Sequence, residues 1–117
     1  MLTRVDHIDI RVPDAEMMAN DFMKLGFIEV RRTDRVPQSI EIALPGEGQM
    51  IIEIRPAKEG EKLGINHVAF HIDGSETIAE LKEKGVEFSR ENHLVKDTGR
   101  RVSNFKDSQG FSWQLTD

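Results

Sequence analysis

The chain repeats itself, and the repeat restricts the folds open to it. Residues 5–12 read Val-Asp-His-Ile-Asp-Ile-Arg-Val, and residues 65–72 read Ile-Asn-His-Val-Ala-Phe-His-Ile. Both alternate with the two-residue period of a strand, and both carry histidine in third place. A polar turn follows each, Pro13-Asp14 in the first and Asp73-Gly74-Ser75 in the second. Helical spacing comes next. One helix is expected over about 15–24, with Met18, Phe22 and Met23 on one side and an end near Gly26. The other is expected over about 75–84, with Ser75 as N-cap, Ile78 and Leu81 facing inward and an end at Gly85. Strands are expected next at 27–31 and 86–89. Two more strands close each copy: 37–44 and 49–56 around Pro45-Gly-Glu-Gly48, then 100–106 and 111–116 around Asp107-Ser-Gln-Gly110. Polar residues 57–63 read as the linker. The order is βαβββ, linker, βαβββ, which predicts an α+β protein whose tandem units form a concave mixed sheet. Each unit would set one sheet face on its helix and turn the other toward a shared hollow.

A length of 117 residues suits a single domain over 1–117, with repeat units about 1–56 and 64–117. The formal net charge is −5 and no basic stripe is present, so nucleic acid and membrane surfaces are not expected partners. The absence of cysteine excludes disulfides and thiolate metal sites and suits a reducing cytoplasm, the expected location. The N-terminus has no apolar h-region and no apolar run reaches membrane-span length, so neither signal peptide nor anchor is expected.

Strand parity sorts the polar residues. Ile8, Ile10 and Val12 share one face of the first strand, opposite His7, Asp9 and Arg11. Met50, Ile52 and Ile54 oppose Ile51, Glu53 and Arg55. Val68, Phe70 and Ile72 oppose His67, Ala69 and His71; Phe111, Trp113 and Leu115 oppose Ser112, Gln114 and Thr116. A solvated sheet face is the plain explanation of such polarity. The spacing argues for more. His7 and His67 stand sixty positions apart, and Glu53 and Gln114 sixty-one, all on the polar parity. Two imidazoles, a carboxylate and an amide oxygen suit a divalent cation such as Zn, Ni, Co, Fe or Mn.

The chain resembles the vicinal oxygen chelate superfamily of glyoxalase I, methylmalonyl-CoA epimerase, extradiol dioxygenases and bleomycin- and fosfomycin-resistance proteins. The likeness runs through Val5–Asp14, Phe22–Phe27, Ile65–Asp73 and the closing Phe105-Lys-Asp-Ser-Gln-Gly-Phe-Ser-Trp-Gln-Leu115. It implies metal ligands His7, Glu53, His67 and Gln114, with Gln114 departing from the glutamate many members carry there. It implies a homodimer acting on a small molecule. The expected activity is a metal-dependent lyase or isomerase of glyoxalase type, with the metal polarising a carbonyl and stabilising an enediolate. Glu53 would be ligand and base, and Arg11 would hold an anionic group with help from Arg55. The competing reading of Arg11 is a solvent-facing strand arginine, or an ion pair with Asp9 or Glu41. His71 is expected in a supporting polar role, and His93 in an exposed loop. Alternatives are an iron-dependent ring-cleaving dioxygenase, for which Gln114 lacks the last-strand carboxylate, and a non-enzymatic small-molecule binding protein.

Overall fold

The structure, a computed structural model, describes all 117 residues as eight strands and two helices in the expected order. The elements are β1 (Leu2–Val12), α1 (Ala15–Lys24), β2 (Ile28–Arg32), β3 (Ile40–Ala43) and β4 (Ile51–Pro56). The repeat continues with β5 (Gly64–Ile72), α2 (Glu76–Glu83), β6 (Phe88–Leu94), β7 (Arg101–Lys106) and β8 (Ser112–Thr116). Contacts divide the chain into two compact units, one of His7–Asn66 and one of Met1–Asp6 with His67–Asp117. They are called here the acidic and the amide unit, after the rows of side chains described below.

In the acidic unit the strands run in the order β2-β3-β4-β1. β2/β3 and β3/β4 are antiparallel and β1/β4 is parallel. The amide unit reproduces the pattern as β5-β8-β7-β6, with β5/β8 parallel and the other pairs antiparallel. Mixed sheets of this kind follow from the connections. A helix carries the chain from the first strand, and short turns join the later strands as hairpins.

The core of the acidic unit is α1 on β3 and β4. Ala15 and Ala19 are buried against Ile40, Ile42, Ile52 and Ile54, and Met18, Phe22 and Phe27 pack around them. The small residues let the helix approach the sheet, and Met18 and Phe22 extend the same stripe at the helical repeat. Met23 sits one position further round and is 37% exposed, unlike the inward position expected of it. The Asp14 carboxylate caps α1 by accepting from the Met17 N–H at 3.0 Å, and Gly26, at φ +103°, ends the helix in a conformation glycine favours.

The amide unit packs Ile78 of α2 on Ile72 and Leu115, with Phe70, Leu81, Phe88 and Phe105 around them. Trp113 stacks on Phe70 at 5.6 Å, on the helix-facing parity expected of it. Ser75 does not cap α2 with its side chain. Its φ of −66° and ψ of −19° already place it in the helical turn, and Gly74 stands where the first repeat has Asp14. Residues Met1–Asp6 belong to this unit through bonds such as Asp73 N–H to Met1 O at 3.2 Å.

Three further expectations are corrected. Met50 and Phe111 precede β4 and β8 and are 36% and 68% exposed, so those strands have shorter apolar faces than expected. Residues 37–39 precede β3 instead of opening it, although Thr33 N–H bonds Ser39 O at 3.0 Å and Ser39 N–H bonds Thr33 Oγ1 at 2.9 Å. His93 is exposed but lies in β6, not in a loop.

Candidate functional site

The ladders of the acidic unit line up four charged residues. Arg31 of β2 pairs with Glu41 of β3, Glu41 with Glu53 of β4, and Glu53 with Asp9 of β1. Directly opposed residues share a face, with Cβ atoms about 5 Å apart, so the four form one row across the sheet. Asp9, Glu41 and Glu53 are 1%, 1% and 3% exposed, and His7 is 2% exposed. The polar face of this unit is therefore buried, and the solvated-face explanation fails for it. Buried carboxylates require partners, and arginines of the same unit supply them. Arg55 Nε lies 2.6 Å from Glu53 Oε1 and 3.6 Å from Asp9 Oδ2. Arg11 grips both Asp9 oxygens, at 2.7 and 3.2 Å, and reaches Glu61 Oε2 at 2.8 Å. Arg31 meets both Glu41 oxygens at 3.3 Å.

A ladder of alternating charge thus runs Glu61, Arg11, Asp9, Arg55, Glu53. Burial works against the charge on Arg11, but hydrogen bonds and charges from Asp9 and Glu61 outweigh it and hold the guanidinium above its ordinary value. The backbone N–H of Lys58 and then Arg11 hold the Glu61 carboxyl below the usual carboxylate range. Of the two partners expected for Arg11, Asp9 is found; Glu41 pairs with Arg31 instead.

His7 pairs in register with Ile51, two residues before Glu53. His7 and Glu53 are therefore diagonal neighbours on adjacent parallel strands. The amide unit repeats the diagonal, since Ala69 pairs with Gln114 and His67 lies two residues before Ala69. Gln114 is 8% exposed and His67 is half-buried. Each unit thus brings together one histidine and one oxygen donor of the expected four. In neither unit do three or more histidine, aspartate or glutamate side chains gather in a metal-holding group. The donor chemistry of the two pairs, two imidazoles with a carboxylate and an amide oxygen, fits a borderline divalent ion.

The row of the amide unit also repeats that of the acidic unit, with its charges removed. Gln114 pairs with Asn104 and Asn104 with Arg90. Ala69, Gln114, Asn104 and Arg90 therefore stand where the acidic unit has Asp9, Glu53, Glu41 and Arg31. Sequence reasoning missed Glu41, Asn104 and Arg90 as members of these rows. The signal for Glu41 is the run Ile40-Glu-Ile-Ala43, a glutamate inside an otherwise apolar strand. His71 Nδ1 lies 2.7 Å from Thr3 Oγ1, an exposed polar contact. Two cavities, of about 190 and 310 Å³, lie beside the starts of α2 and α1.

Two βαβββ units, each with a histidine diagonal to an oxygen donor, define a class of protein built on a duplicated unit. The chain belongs to the Glyoxalase/Bleomycin resistance protein/Dioxygenase superfamily, whose sequence model matches residues 4–115. Solved structures similar to it include a methylmalonyl-CoA epimerase of Streptomyces coelicolor in complex with 2-nitronate-propionyl-CoA. That match has 20% identity and a TM-score of 0.79, covering 99% of this chain and 97% of that one. The epimerase of Mycobacterium tuberculosis matches at 20% identity and TM-score 0.79, covering 98% and 87%. A hypothetical protein of Bacillus halodurans matches at 21% and 0.77, covering 97% and 92%. No curated protein sequence matches the chain. No helix is long and apolar enough to cross a membrane.

Proposed function

We propose that the chain is a divalent-metal-dependent enzyme of isomerase or lyase type acting on a small oxygenated substrate. The observation that carries the proposal is the repeated diagonal, His7 with Glu53 and His67 with Gln114, on buried or half-buried strand positions. These four residues are the proposed ligands. When bound, such an ion supplies Lewis acidity toward a carbonyl oxygen. The similarity in fold to methylmalonyl-CoA epimerases supports proton transfer beside a carbonyl over ring cleavage.

The chain's own residues have distinct proposed tasks. Glu53 accepts the proton from the carbon next to the carbonyl, with Arg55 at 2.6 Å fixing the orientation of its carboxylate. Glu41, directly across the ladder from Glu53, adds a second carboxylate to the same face. A guanidinium has five N–H donors. Arg11 spends three of them on Asp9 and Glu61, and the other two are assigned to an anionic group of the substrate.

Elemental analysis of the purified protein, followed by metal depletion and add-back, tests the proposal. A divalent ion is expected to bind and to restore exchange of substrate carbon-bound hydrogen with deuterium from solvent, and His7→Ala is expected to abolish both. A protein that binds no divalent ion, and in which His7→Ala changes nothing, overturns it.

A further inference from the structure

The two rows differ in a way that the proposed reaction leaves unexplained. In the acidic unit Arg31 faces its cross-strand neighbour Glu41 and is paired with it at 3.3 Å. In the amide unit the arginine is kept as Arg90 while the carboxylate is replaced by Asn104. The side chains of Arg90, Asn104 and Gln114 take no hydrogen bond or ion pair from the protein. Gln114 is nevertheless 8% exposed, and Asn104 is half-buried. None of their polar atoms is buried without a partner, so all three side chains stay open to a ligand arriving from solvent. The register places all three side chains on one face in consecutive strands. What the row lacks, by comparison with its twin, is an anion.

We propose that Arg90, Asn104 and Gln114 form a binding site for a carboxylate-bearing small molecule. A carboxylate is acceptor-only. It matches the amide N–H₂ donors of Asn104 and Gln114 and the planar fork of Arg90, which favours carboxylates over other shapes. The ligand's carboxylate takes the place that Glu41 occupies against Arg31 in the other unit. Identifying that ligand with the substrate rests on the function proposed above, and there it narrows the substrate to an oxygenated carboxylic acid. The anion site itself requires no metal.

The test uses the full-length, metal-depleted and dialysed protein, labelled with ¹⁵N and titrated with malonate. Malonamide at matched ionic strength is the uncharged control. Malonate is expected to shift the side-chain amide signals of Asn104 and Gln114 and the Arg90 Nε–H signal saturably, and malonamide is not. Arg90→Gln, at an exposed position, should weaken malonate binding by about tenfold or more, the loss expected of one charge-assisted contact. Asn104→Asp should weaken it as much, because the new carboxylate occupies the place of the ligand while the remaining amide spectrum keeps its native dispersion. Equal shifts from malonate and malonamide, or wild-type affinity in Arg90→Gln, overturn the proposal. Titrating Mn²⁺ into the same sample separates the two readings. Malonate binding without Mn²⁺ binding leaves this site standing and removes the metal reading, and the converse removes this site alone.

Discussion

At the scale of single residues, the acidic unit depends on each buried carboxylate having its arginine. Asp9 is 1% exposed and is gripped by two bonds from Arg11, whose side chain is 14% exposed. Removing one partner of such a pair leaves the other charge poorly solvated, at a cost of roughly 3 kcal/mol. Asp9→Ala is therefore expected to lower the unfolding free energy by about that amount in urea denaturation. Asp9→Asn, which retains an acceptor, is expected to lose less. Gln114 allows a prediction in the other direction. If it ligates, Gln114→Glu adds a negative oxygen to the set, and Mn²⁺ should bind about tenfold tighter or more. An unchanged Mn²⁺ isotherm would remove Gln114 from the ligand set. Strand parity alone showed which residues share the polar face. It did not show that this face is buried, because a two-residue period identifies a side of a sheet and says nothing of what covers it. Nor did it give the pairing of Arg11 with Glu61, which depends on the path of a connector without a period of its own.

At the scale of elements, legibility followed the strength of the local pattern. The helices and the first strand of each repeat fall within a few residues of their expected bounds, since alternation, helical spacing and glycine stops agree there. β6 runs to Leu94, well past the expected end, because Ser89-Arg-Glu-Asn-His93 carries no alternation and its pairing with β7 is broken by two register shifts. The starts of the two helices differ in a testable way. Asp14→Ala removes a side-chain cap and should cost about 1 kcal/mol, whereas Ser75→Ala should cost almost nothing because Ser75 makes no cap bond. Thermal unfolding of the two variants reads the difference directly.

The turn between β7 and β8 is a second such element. Asp107 accepts from the backbone N–H groups of Gln109 and Phe111, at 2.9 and 3.0 Å, and from the Trp113 indole N–H at 2.9 Å. The Trp113 bond leads these contacts in holding the Asp107 carboxyl below its ordinary value. A carboxyl whose folded value is depressed stabilises the protein above its unfolded value, and that contribution is lost as pH falls through the folded value. Stability followed by Trp113 fluorescence should therefore drop on acidification below the usual carboxylate range, and Asp107→Asn should show a shallower drop. Equal slopes would remove the turn as a source of acid sensitivity.

At the scale of the whole molecule, the duplication has divided its charges unequally. One row carries three carboxylates with Arg31, Arg11 and Arg55 against them, and its counterpart carries none and keeps one arginine. Copying the acidic row into the amide unit, by Ala69→Asp, Asn104→Glu and Gln114→Glu together, tests whether the neutral amides are needed there. The position in β5 that corresponds to Arg11 is His71, and the one in β8 that corresponds to Arg55 is Thr116, so two of the three balancing guanidiniums are missing. Each close like-charge contact costs on the order of 1–4 kcal/mol between the limits of water and a partly shielded surface. The triple variant should therefore unfold at clearly lower urea concentration than wild type at neutral pH. It should recover as pH falls into the carboxylate range, opposite to the behaviour expected from Asp107. Adding arginine at both vacant places, His71→Arg with Thr116→Arg, should restore much of the loss at neutral pH. A triple variant as stable as wild type would mean that the amide row tolerates charge without counterions, and the unequal division would then have no electrostatic basis.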